Sequence, residues 1–305
     1  MTAAAITYRR ALPADAGRAF QVYRAALNGY LAPAGQDLVP DENDRDAGFL
    51  HTLRHDGERC WVAERQGDMV AWSSAIVRDD WWFLSSLFVL PEAQGAGVGA
   101  ELLERVRTGA PAHAVRATIT DTLQPVSNTL YARRGMLPRE ALLGFAGPPR
   151  SGAGRAGGRP RLGTLEPEPL TAAALPDLRA LDLAVLGFER TVDHQFSLSE
   201  GGRRGWLFRR AGRAVAYALC HLTGGIGPVA SLRAADLETV LRFVLAELAA
   251  RGLERVKAGV PAPCAGAQRV FWEAGLVYDA TPGLLLASRP FGRLDRYLPA
   301  SYGMF

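Results

Sequence analysis

The sequence has few cysteines and no metal-binding motif. Cys60, Cys220 and Cys264 are odd in number and far apart, so they form neither a disulfide framework nor a spacing such as C-x-x-C. The pattern instead indicates buried or unpaired thiols in a reducing cytosol. The histidines show no metal spacing either, so we expect no bound metal.

A signal peptide, a long apolar run and a strong charge are also absent. The first residues, MTAAAITYRRALPADAG, lack a basic segment followed by an apolar core, and no run approaches the ~18 apolar residues of a membrane span. The net charge is only +4 over 305 residues, whereas nucleic-acid binders usually carry a concentrated basic face. We therefore expect a cytoplasmic protein, a monomer or homodimer, that binds neither membrane nor nucleic acid.

One segment is unable to form a core. Residues 147–163, GPPRSGAGRAGGRPRLG, consist almost wholly of Gly, Pro, Arg, Ala and Ser and cannot bury apolar surface. A chain of 305 residues is long enough for two ordinary domains. We therefore predict a domain over 1–147, a linker over 148–164 and a second domain over 165–305.

Two short patterns recur on both sides of this linker. GDMVAWSSAI begins at Gly67 and GRAVAYALCH at Gly212, while LYARRGM begins at Leu130 and VFWEAGL at Val270. Both pairs recur at nearly the same spacing. This favours a tandem duplication of a whole domain, since the period is far longer than that of a solenoid repeat.

The patterns of the two halves predict the same class of fold. The first half reads as βααβββαβαβ, and its three successive strands CWVAERQG, MVAWSSAIVRDD and WWFLSSLFV are joined by tight turns, which favours antiparallel pairing. The second half follows a similar order. We predict an α/β (α+β) protein of two tandem domains, each a mixed, mostly antiparallel sheet flanked by helices.

Three glycines separate a strand from a helix in residues 89–106, VLPEAQGAGVGAELLERV. The first N–H groups of a helix have no intrahelical partner and carry the positive end of the helix dipole. Glycine lets a phosphate approach these groups closely. A bare strand–helix connection explains the glycines less well, because a glycine inside a helix costs ~1 kcal/mol relative to alanine. The segment therefore predicts a phosphate-binding loop.

Three kinds of phosphate loop compete for this segment. A nucleotide P-loop would need Lys and then Ser or Thr after the last glycine, where Ala100 and Glu101 stand. A dinucleotide fingerprint, G-x-G-x-x-A, fits Gly95, Gly97 and Ala100, with Asp121 downstream. It remains an alternative, although the residues PEAQ separate the strand from the glycines, where that fold has an immediate turn.

The third kind accounts for the whole segment. The residues QGAGVG from Gln94 read Q-x-x-G-x-G after a strand ending in LFVLP, and they resemble the acyl-CoA pyrophosphate loop of the GCN5-related N-acetyltransferase (GNAT) family. LYARRGM is similar to the L-Y-x-x-x-G-F segment of that family, with Met136 in place of Phe. The strand order and the spacing of the two motifs also agree. The resemblance covers about residues 5–147.

The resemblance implies two tandem GNAT-like domains and the binding of acetyl-CoA as co-substrate. Main-chain groups of the strand before the loop would contact the pantetheine arm, at Leu87, Phe88 and Val89. The pyrophosphate would contact the loop and helix start, at Gln94, Gly95, Ala96, Gly97, Val98, Gly99 and Ala100. Gln124 falls where the family usually has an Asn that contacts pantetheine. Ser127 or Asn128 would also face the cofactor, although a capping role suits Ser127 equally.

The family's reaction implies roles for two kinds of side chain. An acetyl group passes from acetyl-CoA to a primary amine by direct attack on the thioester, and Tyr131 would protonate the leaving thiolate. Asp121 and Glu92 are candidates for the general base, but each also suits a capping or solvated role, and water chains serve as bases in this family. The acidic stretch 41–46 would attract a cationic amine, or it is a solvated helix start.

The second half lacks these features. Counted at the spacing of the repeat, Gln94, Gly97 and Gly99 of the loop correspond to Ala234, Leu237 and Thr239. Tyr131 corresponds to Phe271, which keeps the ring and loses the hydroxyl. We predict a degenerate, non-catalytic GNAT-like domain that packs against the first and borders the acceptor pocket.

The acceptor remains open, and so does turnover itself. A small-molecule or peptide amine of unknown identity is the expected partner. The alternatives are a protein that binds or senses acyl-CoA without turnover and an interaction scaffold that binds no CoA. The aromatic-rich segment FGRLDRYLPASYGMF at the end of the printed sequence is predicted to pack on a domain.

Overall fold

The computed structural model describes residues 5–41, 47–150, 161–199, 202–279 and 281–305. Two compact units divide the chain: the first comprises Met1–Ile119 and Thr129–Met136, and the second comprises Thr120–Asn128 and Leu137–Phe305. Most of the predicted linker, residues 151–160, lies outside the described residues, and so do residues 42–46 of the acidic stretch.

The elements of the first half follow the predicted order βααβββαβαβ. They are β1 (Ile6–Arg10), α1 (Ala16–Leu31), α2 (Ala47–Asp56), β2 (Cys60–Arg65), β3 (Asp68–Arg78), β4 (Trp81–Val89), α3 (Val98–Arg107), β5 (Val115–Asp121), α4 (Pro125–Ala132) and β6 (Leu137–Gly147). The alternation of apolar residues and the tight turns were sufficient to locate these elements.

The sheet of the first unit is antiparallel from β1 to β4, and β5 pairs with β4 in parallel. The turn between β2 and β3 is tight because Gln66 and Gly67 have φ values of 55° and 88°, as a type I′ hairpin requires. The second unit repeats this turn between β8 (Arg203–Arg210) and β9 (Arg213–His221), where Ala211 and Gly212 have φ values of 48° and 76°.

Helices cover both faces of this first sheet. Val62 and Trp72 lie in a core with residues of α1 and α2, whereas Ala63 and Ala71 lie in a core with Val98 and Leu102 of α3. Successive residues of a strand point to opposite faces, so α3 lies on the face opposite α1 and α2. The loop before α3 therefore leads from the end of β4 onto that second face.

The second unit contains the remaining elements in chain order. They are β7 (Glu166–Pro169), α5 (Leu175–Val185), α6 (Thr191–Ser199), β8, β9, β10 (Gly225–Ser231), α7 (Ala234–Ala250), β11 (Val256–Pro261), α8 (Ala265–Glu273), β12 (Val277–Tyr278), β13 (Gly283–Ala287) and β14 (Tyr297–Leu298). The apolar pattern predicts most of them but not α6, β7, β12 or β14.

Strand β6 precedes the linker in sequence and yet lies within the sheet of the second unit. It pairs with β11 on one side and with β13 on the other, antiparallel to both. The compact units therefore differ from the predicted division at 147–165, because strand pairing joins residues that the linker separates in sequence. The domain boundaries themselves stay a prediction.

A buried polar network lies beneath the sheet of the second unit. The carboxylate of Asp182 accepts hydrogen bonds from Arg190 at 3.1 Å, from the Tyr217 hydroxyl at 2.6 Å, and pairs with His194 Nε2 at 2.7 Å. Burial raises the pKa of Asp182, but the charges of Arg190 and His194 outweigh it and lower that pKa to about 2. His194 is thus a core residue.

The described residues include three cysteines, and their helices and acidic, histidine and cysteine side chains can be compared with the expectations from sequence. All three thiols are free and buried, and burial raises the pKa of each to about 12, which keeps them protonated and unreactive. None of the described helices is long and apolar enough to cross a membrane. Within the same residues, no group of three or more His, Cys, Asp or Glu side chains is arranged to hold a metal ion.

Candidate functional site

Strand β4 separates from its parallel neighbour halfway along its length. β4 pairs with β5 only from Trp81 to Leu84, and the Thr118 hydroxyl donates a hydrogen bond of 2.9 Å to the Leu84 carbonyl at this point. The register with β3 then shifts, so that Ser85 is an extra residue in β4. Such a bulge bends a strand and increases its twist. The remainder of β4 has no pairing with β5.

The hydrogen-bond pattern shows which main-chain groups this separation exposes. The Leu90 N–H bonds to the Val70 carbonyl at 2.9 Å, and Phe88 lies opposite Trp72. Because hydrogen-bonded and non-hydrogen-bonded pairs alternate in antiparallel strands, Phe88 directs its main chain to β3. Leu87 and Val89 direct theirs away from β3. We call residues 86–89, which form no ladder with β5, the open edge of β4.

A side chain of the loop after β4 forms a hydrogen bond to the open edge. Gln94 Nε2 donates a hydrogen bond of 2.9 Å to the Val89 carbonyl. A short 3₁₀ helix, Pro91–Ala93, carries the chain between these two residues. Gln94 is therefore a brace of the loop, a role that the loop motif alone does not reveal.

The glycines give the loop its shape. Gly95 and Gly97 have φ values of 78° and 79°, which other residues adopt only with strain. No atom lies within 4 Å of a Cβ built at either position, so both face open space. A Cβ on Gly99 would lie 3.6 Å from Val89 Cγ2, an ordinary contact. Two of the three glycines thus serve the backbone conformation, and the third lies close to the end of β4.

The N-terminus of α3 has unused hydrogen-bond donors. Gly97 is its N-cap and no side chain caps the helix. The first bond of the helix runs from the Glu101 N–H to the Gly97 carbonyl at 3.1 Å. The N–H groups of Val98, Gly99 and Ala100 precede it and have no intrahelical acceptor. An uncapped helix start behind an exposed glycine loop suits an anion such as a diphosphate.

Tyr131 lies near the end of α4, where the backbone explains most of the LYARRGM pattern. The Met136 N–H bonds to the Tyr131 carbonyl at 3.1 Å and the Gly135 N–H to the Ala132 carbonyl at 2.9 Å. Gly135 has a φ of 83°. These are the two bonds of a Schellman motif, which favours glycine followed by a buried apolar residue. Met136, which is 1% exposed, is that apolar residue.

The second unit repeats this helix ending without the hydroxyl. The Leu276 N–H bonds to the Phe271 carbonyl at 2.9 Å and the Gly275 N–H to the Trp272 carbonyl at 3.0 Å, and Gly275 has a φ of 88°. The glycine of the motif is therefore a requirement of the fold in both halves. At the position of the ring, the first copy differs from the second by the tyrosine hydroxyl.

Asp121 ends β5 and organises the turn into α4. Its Oδ1 accepts the Leu123 N–H at 2.7 Å, and its carbonyl accepts the Gln124 N–H and Asn128 Nδ2, each at 3.2 Å. Burial raises the pKa of the Asp121 carboxyl, and the bond from Leu123 lowers it by less. A carboxylate with a raised pKa is a stronger base than an exposed one. Glu92 is exposed on the 3₁₀ helix of the loop.

The start of α4 contains one polar atom without a partner. The buried Oδ1 of Asn128 has no hydrogen bond among the described residues, and a buried acceptor of this kind suits a bound water or a ligand. Gln124 is half-buried just before the helix, and Ser127 is half-buried at its third position, so Ser127 is not the N-cap. Asn128, rather than Ser127, is the stronger candidate for contact with a ligand.

The second unit has no counterpart of the glycine loop among its described residues. β10 ends at Ser231 and α7 begins at Ala234. Asp236 lies in the first turn of α7, and its carboxylate forms an ion pair with Arg210 at 2.6 Å. α7 also lacks a side-chain cap, and each helix has one acidic residue in its first turn, Asp236 in α7 and Glu101 in α3. The two helix starts therefore differ by the glycine loop.

Comparison with known proteins identifies the same region. Residues 21–136 match the model of the acetyltransferase (GNAT) family. No curated protein sequence matches the chain.

Solved structures agree with the fold over nearly the whole chain. A candidate acetyltransferase from Pyrococcus horikoshii is 14% identical with a TM-score of 0.76, over 98% of this chain and 96% of that one. A GCN5-related N-acetyltransferase from Sphaerobacter thermophilus is 17% identical with a TM-score of 0.61, over 93% and 96%. A tandem GNAT protein from the clavulanic acid biosynthesis pathway is 14% identical with a TM-score of 0.58, over 94% and 99%. The predicted fold of two tandem GNAT-like domains is confirmed.

Proposed function

We propose that this chain, whose residues 21–136 match the model of the acetyltransferase (GNAT) family, transfers the acetyl group of acetyl-CoA to a primary amine. The family and fold are those of acyl-CoA-dependent acyl transfer. The proposal rests on one observation above all. The uncapped start of α3, the positive-φ glycines and the open edge of β4 are joined in one stretch of the first unit.

These residues fit the two parts of acetyl-CoA that need to be held. The diphosphate suits the N–H groups at the start of α3, where the glycines leave room for close approach. The extended pantetheine arm carries amide groups, and the main chain of Leu87 and the N–H of Val89 face it along the open edge. The Val89 carbonyl is already bonded to Gln94 Nε2. Phe88 instead pairs with β3 and packs its ring against Tyr23 of α1 at 4.9 Å. We therefore assign Phe88 a supporting role.

In the proposed reaction the amine nitrogen forms a bond to the acyl carbon and the C–S bond breaks. Acetyl-CoA supplies the activated thioester, so the chain needs only to align it with a neutral amine. Asp121 is the proposed acceptor of the proton that the amine loses. Tyr131 is the proposed donor to the leaving thiolate. Their reference pKa values, about 10 for Tyr and about 8.5 for a thiol, make this transfer modestly uphill, and departure of the product completes it.

The acceptor is proposed to be a small-molecule or peptide amine. A protein that senses acyl-CoA without turnover is the second candidate, because the loop and open edge serve binding alone equally well. The hydroxyl of Tyr131 favours the enzyme, since the matching Phe271 shows that this fold position does not need it. The dinucleotide alternative loses support because β4 pairs antiparallel with β3, whereas a dinucleotide fold needs a parallel sheet there.

A pair of glycine variants tests the function. Gly97 and Gly109 have φ values of 79° and 77°, have no atom within 4 Å of an added Cβ, and lie beyond opposite ends of α3. Gly97→Ala and Gly109→Ala therefore carry a similar strain of ~1 kcal/mol. We expect Gly97→Ala alone to weaken acetyl-CoA binding by at least about tenfold, because its Cβ occupies the approach of the diphosphate.

The measurements are calorimetric titration with acetyl-CoA and amine-dependent release of free thiol across a panel of primary amines. Binding without release for any amine would support the sensor instead. Equal effects of the two glycine variants would refute the assigned diphosphate site.

A tyrosine variant tests the proposed acid. Tyr131→Phe should lower kcat by about 100-fold while the KM for acetyl-CoA changes little, because general acid catalysis contributes at least about that factor. Tyr8→Phe, on β1 of the same unit, is the control and should retain normal turnover. An unchanged kcat in Tyr131→Phe would remove the residue from the mechanism.

A carboxylate pair tests the proposed base. Asp121 accepts a proton only when it is ionised, and burial raises its pKa, so kcat should fall as the pH drops through that raised value. Asp121→Asn should lower kcat by about 100-fold and abolish this fall of kcat at low pH, the acid limb of the profile. Glu92→Gln should keep both the normal kcat and the acid limb. If instead Glu92→Gln lowers kcat and abolishes the acid limb, the base is Glu92. If both variants keep the normal kcat and the acid limb, the base is water.

A further inference from the structure

Strand β10 of the second unit changes partner along one of its edges. β9 pairs with one edge of β10 throughout, opposite Ile226 and again opposite Val229 and Ala230. The other edge pairs in parallel with β11 at Gly225 and Ile226. Three residues after Ile226, this same edge pairs with β14, in antiparallel register, at Val229 and Ala230.

This arrangement repeats the plan of β4 with one addition. In β4 the parallel ladder to β5 ends at Leu84 and a bulge at Ser85 follows. In β10 the parallel ladder to β11 ends at Ile226, and the register shifts before Val229. The strand beyond the bulge is unpaired on this edge in β4. In β10 the segment Tyr297–Leu298 pairs with it.

We propose that the second half keeps the cleft of its fold as a binding site, and that its permanent ligand is the chain's own segment Tyr297–Leu298. This segment lies along β10 where an extended cofactor arm would lie along β4. The chain then binds one acyl-CoA, in its first half. The second half does not bind acyl-CoA, because Tyr297–Leu298 fills its cleft and because it lacks the glycine loop. The inference rests on the proposed function only for the identity of the ligand in the first half.

The segment is held as tightly as a core strand. Tyr297 and Leu298 are each 0% exposed. The Tyr297 hydroxyl accepts a hydrogen bond of 2.8 Å from Arg190, the cation of the network around Asp182. Burial raises the pKa of the Cys264 thiol, at the N-cap of α8, and the main-chain N–H of Tyr297 offsets part of that rise, so Cys264 lies against the segment. These partners lie on several elements of the unit, so the segment fills a prepared cleft.

The chain on either side of the pair is anchored as well. Arg296 Nη1 donates a bond of 2.8 Å to the Leu232 carbonyl, in the short connection between β10 and α7. Phe305 packs its ring 5.1 Å from that of Tyr297 and its carbonyl accepts a bond from Arg190. The anchors therefore precede and follow the β14 pairing.

The shape of β10 is matched to the segment at one glycine. A Cβ built on Gly227 would lie 2.1 Å from the Pro299 carbonyl oxygen, so no side chain fits while the segment is docked. Gly227 has a φ of 137°, which also favours glycine. Gly225, two residues earlier, would place a Cβ 3.4 Å from His221 Cβ and does not meet the segment.

Hydrogen exchange of the full chain, with and without acetyl-CoA, tests the proposal directly. We expect the amides of Tyr297 and Leu298, followed in peptides spanning 294–300, to be protected about 100-fold or more relative to an unstructured chain in both states, because these two residues are buried and pair with β10. Calorimetry should give one acetyl-CoA per chain. Fast exchange at 294–300, loss of protection on adding acetyl-CoA, or two bound molecules would each overturn the proposal.

The same experiment separates this inference from the proposed function. Peptides spanning 84–100 should gain protection when acetyl-CoA is added. If they do not, while 294–300 stays protected, the function of the first half fails and the occupied cleft stands.

A glycine pair provides the second test. Gly227→Ala should raise the exchange rate at 294–300 by about tenfold or more, because the added Cβ displaces the Pro299 carbonyl. Gly225→Ala, on the same strand, should leave it near that of the parent chain. Unchanged protection in Gly227→Ala would contradict the proposed docking. If Gly227→Ala does not fold, hydrogen exchange of the unmodified chain at 294–300 still tests the proposal.

Discussion

The separation of two parallel strands is the constraint on which both halves of this protein depend. A buried or half-buried main-chain group needs a hydrogen-bond partner, and a strand that leaves its neighbour loses a whole row of them. β4 leaves β5 after Leu84, and β10 leaves β11 after Ile226. Each unit therefore has an edge that something else needs to pair. The first unit leaves this edge open, whereas the second pairs it with β14.

The helix that follows each separated strand shows the same contrast. In the first unit an exposed loop with two left-handed glycines precedes α3, and no side chain caps that helix. In the second unit α7 follows β10 almost at once, and Asp236 lies in its first turn, paired with Arg210. An anion and an extended arm fit the first arrangement. In the second arrangement the glycine loop is missing and the edge of β10 is paired with β14, which fits the proposal that the two halves use the same cleft differently.

Local pattern was sufficient to predict much of the fold and the location of the candidate site. Alternating apolar residues and tight turns located the strands of the first half, and QGAGVG located the loop, because glycine spacing reports a backbone requirement directly. The brace from Gln94 to Val89 and the role of Gly135 in ending α4 were not predicted. Each feature depends on a hydrogen bond to one carbonyl, from the Gln94 side chain to Val89 and from the Gly135 N–H to Ala132. The spacing of residue types in the sequence does not specify such bonds.

The features that the sequence did not reveal depend on contacts between distant residues. β14 is a short segment in an irregular stretch, and only its pairing with Val229 and Ala230 makes it a strand. β6 reads as the last strand of the first half, yet its partners are β11 and β13. Partner choice at a sheet edge is set by the whole fold. The separation after Leu84 is equally invisible in the apolar pattern WWFLSSLFV, which continues through it.

A crystal structure of the chain with acetyl-CoA would show whether the open edge of β4 and the start of α3 hold this ligand. We expect diphosphate oxygens at hydrogen-bonding distance, about 2.7–3.2 Å, from the amides at the start of α3, with the pantetheine arm along Leu87 and Val89. Acetyl-CoA seated against β10 in place of Tyr297 and Leu298, or bound away from both clefts, would contradict it.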